Sequence, residues 1–254
     1  MKICRFIFKG KECFGVIEEE YVYILREPPF ERVLKSRVKI PLSDINLLAP
    51  VLPSKIIGIA YNYKAHAIER RVEERSYPLF HIKPSTTVIG PDESILLPKI
   101  SSIVDFGGEL AIVIKKKAFQ IKEKENPMDY VLGYTCFNDV TARDLQEMDK
   151  HFTRAKSFDT FSPLGPWIVT ELNPQNLKIK SFVNGKLVQS GNTKNMIFSV
   201  EFLIRYLSQI MTLLPGDVIA TGTPSAGKAL NPGDIVDIQI DGIGVLSNKV
   251  MRVY

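Results

Sequence analysis

No stretch of this 254-residue chain approaches the ~18 consecutive apolar residues of a membrane-spanning helix. The opening MKICRFIFKGKE lacks the apolar core and the small-residue cleavage site of a secretory signal. Cysteine is scarce. Cys4, Cys13 and Cys136 show no metal-ligand spacing, and their odd number leaves one without a disulfide partner, which fits a reducing, cytoplasmic setting. Glycine-rich phosphate cradles are missing: neither GxGxxG nor a P-loop occurs. Histidine is limited to His66, His81 and His151. Charge of a single sign is also wanting, since 33 Lys and Arg stand against 28 Asp and Glu, a net charge of +5. The run Lys115, Lys116, Lys117 is short, and Lys122, Glu123, Lys124 and Glu125 alternate in sign as a solvated segment does. Nucleic-acid binding is therefore not expected, whereas a mildly positive field suits a small anionic substrate.

What the chain has in abundance is short, β-prone apolar runs parted by turn residues. ICRFIF and CFGVIEE flank a hairpin turn at Lys9 to Glu12, and YVYIL follows as a third strand. Ala49, Pro50, Val51, Leu52 and Pro53 then punctuate the chain, which divides it into a small N-terminal β domain over 1–53 and a larger domain over 54–254. KIIGIA reads as a buried strand. The charged helix NYKAHAIERRVEER comes next, with Asn62 placed to cap it and Pro78 to end it. LFHI, SILL, residues 110–114 and YTCFND read as strands, and ARDLQEMD starts a helix with Thr141 and Asp144 at capping-box-like spacing. Asn184-Gly185 between alternating runs marks a hairpin. Val200, Leu203, Ile204, Leu207 and Met211 form one helical face behind the cap Ser199. VIATGT, IVDIQI and GVLSNKV close the chain as strands. Strands dominate and helices are local, which predicts a β-dominated α+β fold on an antiparallel or mixed β-roll, without βαβ units.

Several side chains carry candidate chemistry. Glu109 and Asp139 each stand at the edge of an apolar strand, where a carboxylate is costly unless it is paired or binds a metal. Two hard oxygen donors suit Mg²⁺ or Mn²⁺; the alternative is a strand-end carboxylate that meets water or Arg143. His66 and Glu69 lie three apart on one helix and share a face. A carboxylate beside an imidazole makes a dyad able to activate water, although an exposed helix pair is the simpler reading. Lys156 in AKSFDTFSP and Lys83 in HIKPS fall in loops and suit a carboxylate or an enolate. TGTPSAG over 221–227 offers hydroxyls and amides to an anion, or is a plain turn. VDFGGELAIVI is the odd segment: Asp105 and Glu109 flank Gly107 and Gly108, which weaken a strand and mark a bulge or a close backbone approach.

Taken in order, NYKAHAIE, FHIKPST, GELAIVI, GYTCFNDVTARDLQ, AKSFDTFSPLGPW, VNGKLVQSGNTKNMIFS and LLPGDVIATGTP resemble the fumarylacetoacetate hydrolase family, over roughly residues 55–225. The first fifty or so residues resemble the small β unit of its 2-hydroxyhepta-2,4-diene-1,7-dioate isomerase-like branch. The resemblance implies a mixed β-sandwich roll, a homodimer, and a site dependent on Mg²⁺ or Mn²⁺ for 2-oxo or 1,3-dioxo acids. It implies His66 and Glu69 as a water-activating dyad on a lid helix and Lys156 as the active-site lysine. Glu109 and Asp139 become metal carboxylates, and Lys83, Arg143, Gln146 and Thr223 lie near the substrate. It also gives the glycines a meaning. The family pattern E-x-E-L puts two glutamates on one strand face, and here Gly107 replaces the first. Asp105 shares that face, but on a regular strand it would sit ~13 Å from Glu109, so only a bulge would bring it in. Tyr61 stands where the pattern often has Arg.

The expected function is metal-dependent hydrolysis of a C–C bond in a small 2-oxo or 1,3-dioxo acid of acylpyruvate type, through a stabilised enolate. An isomerase or decarboxylase of the same family is the alternative. From another class comes a non-catalytic small-molecule-binding relative weakened at Gly107. Metal is expected to bind weakly, with water in place of the missing carboxylate. Removing the Asp139 side chain is expected to abolish metal binding and activity and leave the fold intact.

Overall fold

Residues 110–114 are apolar at every position, and the structure explains why. In the computed structural model, which describes residues 1–73 and 75–253, the Gly108–Ile114 strand is buried along its whole length. Leu110, Ile112 and Ile114 belong to one core with Ile238, Ile240 and Leu246, closed by Leu203, Ile204 and Leu207 of the Val200–Ile210 helix. Ala111 and Val113 belong to a second core with Phe137, Ile168 and Val218. A strand that separates two cores has no solvent face, so the polar half of the usual alternation disappears.

This strand lies within a large mixed sheet. Its path runs Lys35–Pro41, Tyr21–Leu25, Lys11–Glu18, Lys2–Phe8, Ser162–Val169, Val131–Asn138, Gly108–Ile114, Val218–Ala220, Ile56–Ala60 and Leu79–Lys83. A five-stranded sheet, Lys186–Asn192, Lys178–Val183, Ile235–Ile240, Gly244–Arg252 and Ile95–Leu97, supplies much of the opposite wall of the first core. The expectation of a β-dominated α+β fold on a mixed sheet holds. The first strands are continuous with the large sheet, because Lys2 and Ile3 pair with Val169 and Ile168. They also cover a small core of their own, with Cys4, Phe6, Ile17, Val22 and Ile40.

One end of the large sheet matters most. The parallel strands Ile56–Ala60 and Val218–Ala220 finish there. The antiparallel pair Gly108–Ile114 and Val131–Asn138 respectively begins and ends there, with Gly108 opposite Asn138. Tyr61, Thr221 to Thr223, Glu109 and Asp139 are therefore delivered to one place by four adjacent strands. The Val104–Asp105 strand pairs separately with Thr141–Ala142, so the chain leaves one ladder and enters another across Phe106 and Gly107.

Two local expectations are corrected. The helix after KIIGIA is only Lys64–Glu69, and its cap, Tyr63, makes no side-chain bond. Arg71, at φ +54, lies beyond the helix end and well before Pro78. Asn62 instead clasps two loops: its buried amide donates to the Phe198 and Thr221 carbonyls (3.2 and 2.8 Å) and accepts from the Phe198 N–H (2.8 Å). The capping box at Thr141 does not form either. Ala142 is the cap of Arg143–Asp149, the Thr141 hydroxyl donates to the Asp139 carbonyl, and Asp144 accepts from Ser101, Ser102 and the Leu145 N–H. Asn62 and Thr141 are buried, and buried polar groups take the partners that tertiary structure provides. The Asn184-Gly185 turn and the Ser199 cap form as expected, with φ +51 and +73 at the turn and Ser199 Oγ accepting from Phe202 N at 3.2 Å. All three cysteines are free thiols. No helix among the described residues is long and apolar enough to cross a membrane.

Asn62→Ala strands the buried groups that the amide now satisfies. It is expected to lower the unfolding free energy by about 1–3 kcal/mol. Urea unfolding checks this, and an unchanged midpoint would show that the clasp contributes nothing.

Candidate active site

Asp139 is the hub of the site. It follows the Val131–Asn138 strand directly and is 7% exposed. Its Oδ1 accepts from Lys83 Nζ at 2.7 Å, and its Oδ2 accepts from Lys156 Nζ. Lys83 is fully buried on the Leu79–Lys83 strand and donates again to the Phe161 carbonyl at 2.6 Å. Lys156 ends the short Thr153–Lys156 helix and also donates to Thr141 Oγ1 at 2.7 Å. Burial alone would raise the Asp139 carboxyl, but Lys156 and Lys83, with His81 close by, hold it well below the ordinary carboxylate range. Burial pushes Lys83 down to about 8, against the attraction of Asp139.

Glu109 lies one residue into its strand and is 2% exposed. Its Oε2 accepts from Gly222 N at 2.8 Å. Burial, with Asp139 nearby, pushes its carboxyl up to about 8. The two candidate metal carboxylates thus share one cleft wall. No third joins them: among the described residues no group of three or more His, Cys, Asp or Glu side chains could hold a metal ion.

The gap at Gly107 is structural. Its carbonyl accepts the Asp139 N–H at 2.8 Å, and a Cβ there would meet Thr223 Cβ and Cγ2 at 3.1 and 3.2 Å. Its φ is not positive, so a side chain there would meet tight packing against Thr223 and no backbone strain. Asp105 does not fill the vacant role. Both its oxygens accept from Arg143, Oδ2 from Nε at 2.9 Å and Oδ1 from Nη2 at 2.8 Å, a two-pronged pair that fixes the guanidinium plane. Gln146 Oε1 accepts from Arg143 Nη1 at 2.7 Å and completes the brace.

The remaining candidates frame the entrance. His66 is buried, its ring nitrogens have no hydrogen-bond partner, and its ring centroid lies 5.6 Å from that of Tyr61. Burial, then Arg70, lowers the imidazole to about 4 despite Glu69, so it is neutral at pH 7. Glu69 is not hydrogen-bonded to His66. It is exposed and accepts from Ala226 N at 2.8 Å. The amides of 221–227 therefore hold the protein's own carboxylates, Glu109 through Gly222 and Glu69 through Ala226.

These groups surround a narrow cleft. His66, Glu109, Asp139, Arg143, Lys156 and Thr223 line it, as do Tyr61 and Gly107. Three residues expected at the site do not line it: Lys83 lies behind Asp139, Gln146 braces Arg143, and Glu69 is exposed and meets Ala226 at the rim. The expectation that Lys83 and Lys156 are loop lysines is corrected, since both are buried and anchored to one carboxylate. Two participants escaped the sequence reading. His81 lines the cleft beside Asp139. Gln189, 1% exposed, accepts from Gly108 N (3.0 Å) and donates to Thr223 Oγ1 (3.0 Å) and the Ser225 carbonyl (2.6 Å), so it ties the glycine gap to the 221–227 loop. A polar residue in an otherwise alternating strand was the only signal for it.

Known proteins resemble this chain in sequence and in fold. The model of the fumarylacetoacetate (FAA) hydrolase C-terminal family matches residues 55–251, and an Rv2993c-like N-terminal model matches residues 1–50. The oxaloacetate tautomerase YisK of Bacillus subtilis is 46% identical over 224 residues, which cover 82% of this chain and 74% of that protein. The crystal structure of a 2-hydroxyhepta-2,4-diene-1,7-dioate isomerase from Mycobacterium marinum superposes with a TM-score of 0.91 at 39% identity, over 99% of this chain and 98% of that one. A maleylpyruvate hydrolase from Sphingobium sp. SYK-6, in complex with manganese(II) and pyruvate, superposes over the whole of both chains with a TM-score of 0.82 at 28% identity.

The double pairing of Asp139 revises what its loss should do. Asp139→Ala leaves two buried ammonium groups without their shared anion. It is expected to cost about 3–5 kcal/mol of stability in addition to activity, as breaking a buried ion pair does. Urea unfolding measures this, and a variant as stable as the parent would show that the lysines find other partners.

Proposed function

This chain belongs to the fumarylacetoacetate hydrolase family, and on that premise we propose that it forms and protonates enolates of small 2-oxo acids, keto–enol interconversion of a short 2-oxo diacid being its principal reaction. Relatives carry isomerase, tautomerase and hydrolase names. The observation that carries the proposal is the buried cleft on which the Lys156 ammonium, the Glu109 carboxyl and the neutral His66 imidazole converge. Tautomerisation is preferred to the C–C hydrolysis expected from sequence because Glu69 is engaged by Ala226 and makes no hydrogen bond to His66. His66 and Glu69 therefore make no direct contact by hydrogen bond. Hydrolysis of an acylpyruvate is the second reading, supported by the placement of both residues on one helix at the cleft.

The chain's own groups divide the work as follows. Arg143, braced by Asp105 and Gln146, would hold the substrate carboxylate through its remaining N–H groups. Lys156 would face the 2-oxo oxygen, where negative charge collects. His66 would take the proton from C3 as the C–H electron pair becomes the C2–C3 π bond and the carbonyl π pair moves onto that oxygen, and would then return the proton to the oxygen to give the enol. The reverse sequence gives the keto acid. Glu109 and Asp139 would hold a divalent cation. The set fits a loosely held Mg²⁺ or Mn²⁺, since Glu109 Oε1 has no hydrogen-bond donor among the described residues and such ions accept water in the remaining positions. When bound, the ion would supply Lewis-acid polarisation of the 2-oxo group. A homodimer and a cytoplasmic setting belong to the same proposal.

The decay of the enol absorbance of oxaloacetate, with Mg²⁺ supplied, tests this reading. The protein is expected to accelerate the exchange, and Lys156→Met to lose ~10²-fold or more, the usual worth of a group that stabilises a developing oxyanion. No acceleration over the spontaneous rate would overturn it. Acylpyruvate cleavage without any effect on oxaloacetate would install the hydrolytic reading instead.

A further inference from the structure

His81 has no part in the chemistry above, yet it is the least explained side chain of the cleft. It is 8% exposed, and neither ring nitrogen has a hydrogen-bond partner. A buried imidazole N–H without an acceptor is costly, and folded proteins seldom keep one without a reason. Room has nevertheless been made for the ring. Gly58 is its cross-strand partner, and a Cβ at Gly58 would run into the imidazole. Phe152 packs on the ring with centroids 5.2 Å apart. The nearest charged oxygen is Asp139 Oδ2, 3.8 Å from Nε2. This is the oxygen that Lys156 occupies, while Lys83 takes Oδ1.

We propose that His81 is a positioning residue that exchanges with Lys156 on Asp139. As the Lys156 ammonium turns from Oδ2 toward the substrate's enolate oxygen, the Nε2–H of neutral His81 closes on Oδ2. Asp139 then keeps a donor on each oxygen throughout. The withdrawal of Lys156 then leaves Oδ2 with a hydrogen-bond donor in its place, beside the Lys83 ammonium that stays on Oδ1. The exchange rests on the reading that Lys156 serves the enolate. It needs Nε2 to close the 3.8 Å that now separates it from Oδ2, and no change in the number of protons. It also explains why a polar ring occupies a position where packing alone would be served by any apolar one.

Imidazole ¹⁵N NMR of the whole protein tests it, with Mg²⁺ supplied and oxalate, a planar analogue of the enolate, as the probe. The His81 Nε2–H signal is expected to shift downfield and to resist solvent exchange when oxalate binds. In Lys156→Met, where Oδ2 has lost its ammonium, the same bonded signal is expected without any oxalate. In turnover, His81→Phe is expected to lower kcat about tenfold with little change in KM, the worth of one hydrogen bond to a charged group. His81→Gln, which restores a donor, should recover most of the loss. A role in packing alone would lower the melting temperature of His81→Phe and leave kcat untouched, which overturns the proposal. So would a His81 signal indifferent both to oxalate and to Lys156→Met. Failure of the wild type to bind oxalate or to enolise any 2-oxo acid would remove the functional reading and the exchange with it. Wild-type turnover with an unresponsive His81 would remove the exchange alone.

Discussion

A single buried carboxylate, shared by two buried ammonium groups, sets the terms for this molecule. Asp139, Lys83 and Lys156 come from a strand end, a neighbouring strand and a short helix, and none of the three could be buried by itself. Together they fasten the edge strand Leu79–Lys83 and the Thr153–Lys156 helix to the strand end at Asn138. The arrangement leaves the cleft close to electrical balance before any ligand enters. With Glu109 ionised, two carboxylates face two ammoniums; with its carboxyl pushed up to about 8, the balance tilts positive. In the second case the site favours an anion.

The glycines follow from the same packing. The Gly107 carbonyl receives the Asp139 N–H, Thr223 leans on the space where a side chain would start, and a Cβ on Gly108 would strike Ser181. The backbone must pass closely here because it leaves one ladder at Asp105 and joins another at Gly108. The consequence is one carboxylate fewer on this wall of the cleft. Asp105, the obvious substitute, is committed to Arg143 by two hydrogen bonds and cannot serve both.

Much of this was legible in the sequence because it is carried by local patterns. The strand runs, the Asn184-Gly185 turn and the Ser199 cap depend on neighbours in the chain. The ordered segments that resemble the family name the residues of the cleft, and most of them do converge. Direction of burial was not legible. Lys83 and Lys156 sit among turn-like residues, and only the three-dimensional position of Asp139 makes their burial affordable. Asn62 and Thr141 have the spacing of helix caps but face loops from distant parts of the chain, the first reaching Phe198 and Thr221. His81 gains its meaning from Gly58 and Asp139, neither of which is a sequence neighbour.

Charge balance around Asp139 is the centre of this account, and calorimetry of Mn²⁺ with and without oxalate tests it most directly. A divalent cation alone would add two uncompensated charges to a nearly neutral buried cleft with only two carboxylate ligands. A chelating dianion would cancel them and supply two further oxygens. Mn²⁺ is therefore expected to bind weakly by itself and about 5- to 150-fold more tightly with oxalate present, the usual range for coupling between two ligands. Equal and tight Mn²⁺ binding in both conditions would contradict the account, because it would mean that the site holds its metal without help from the substrate.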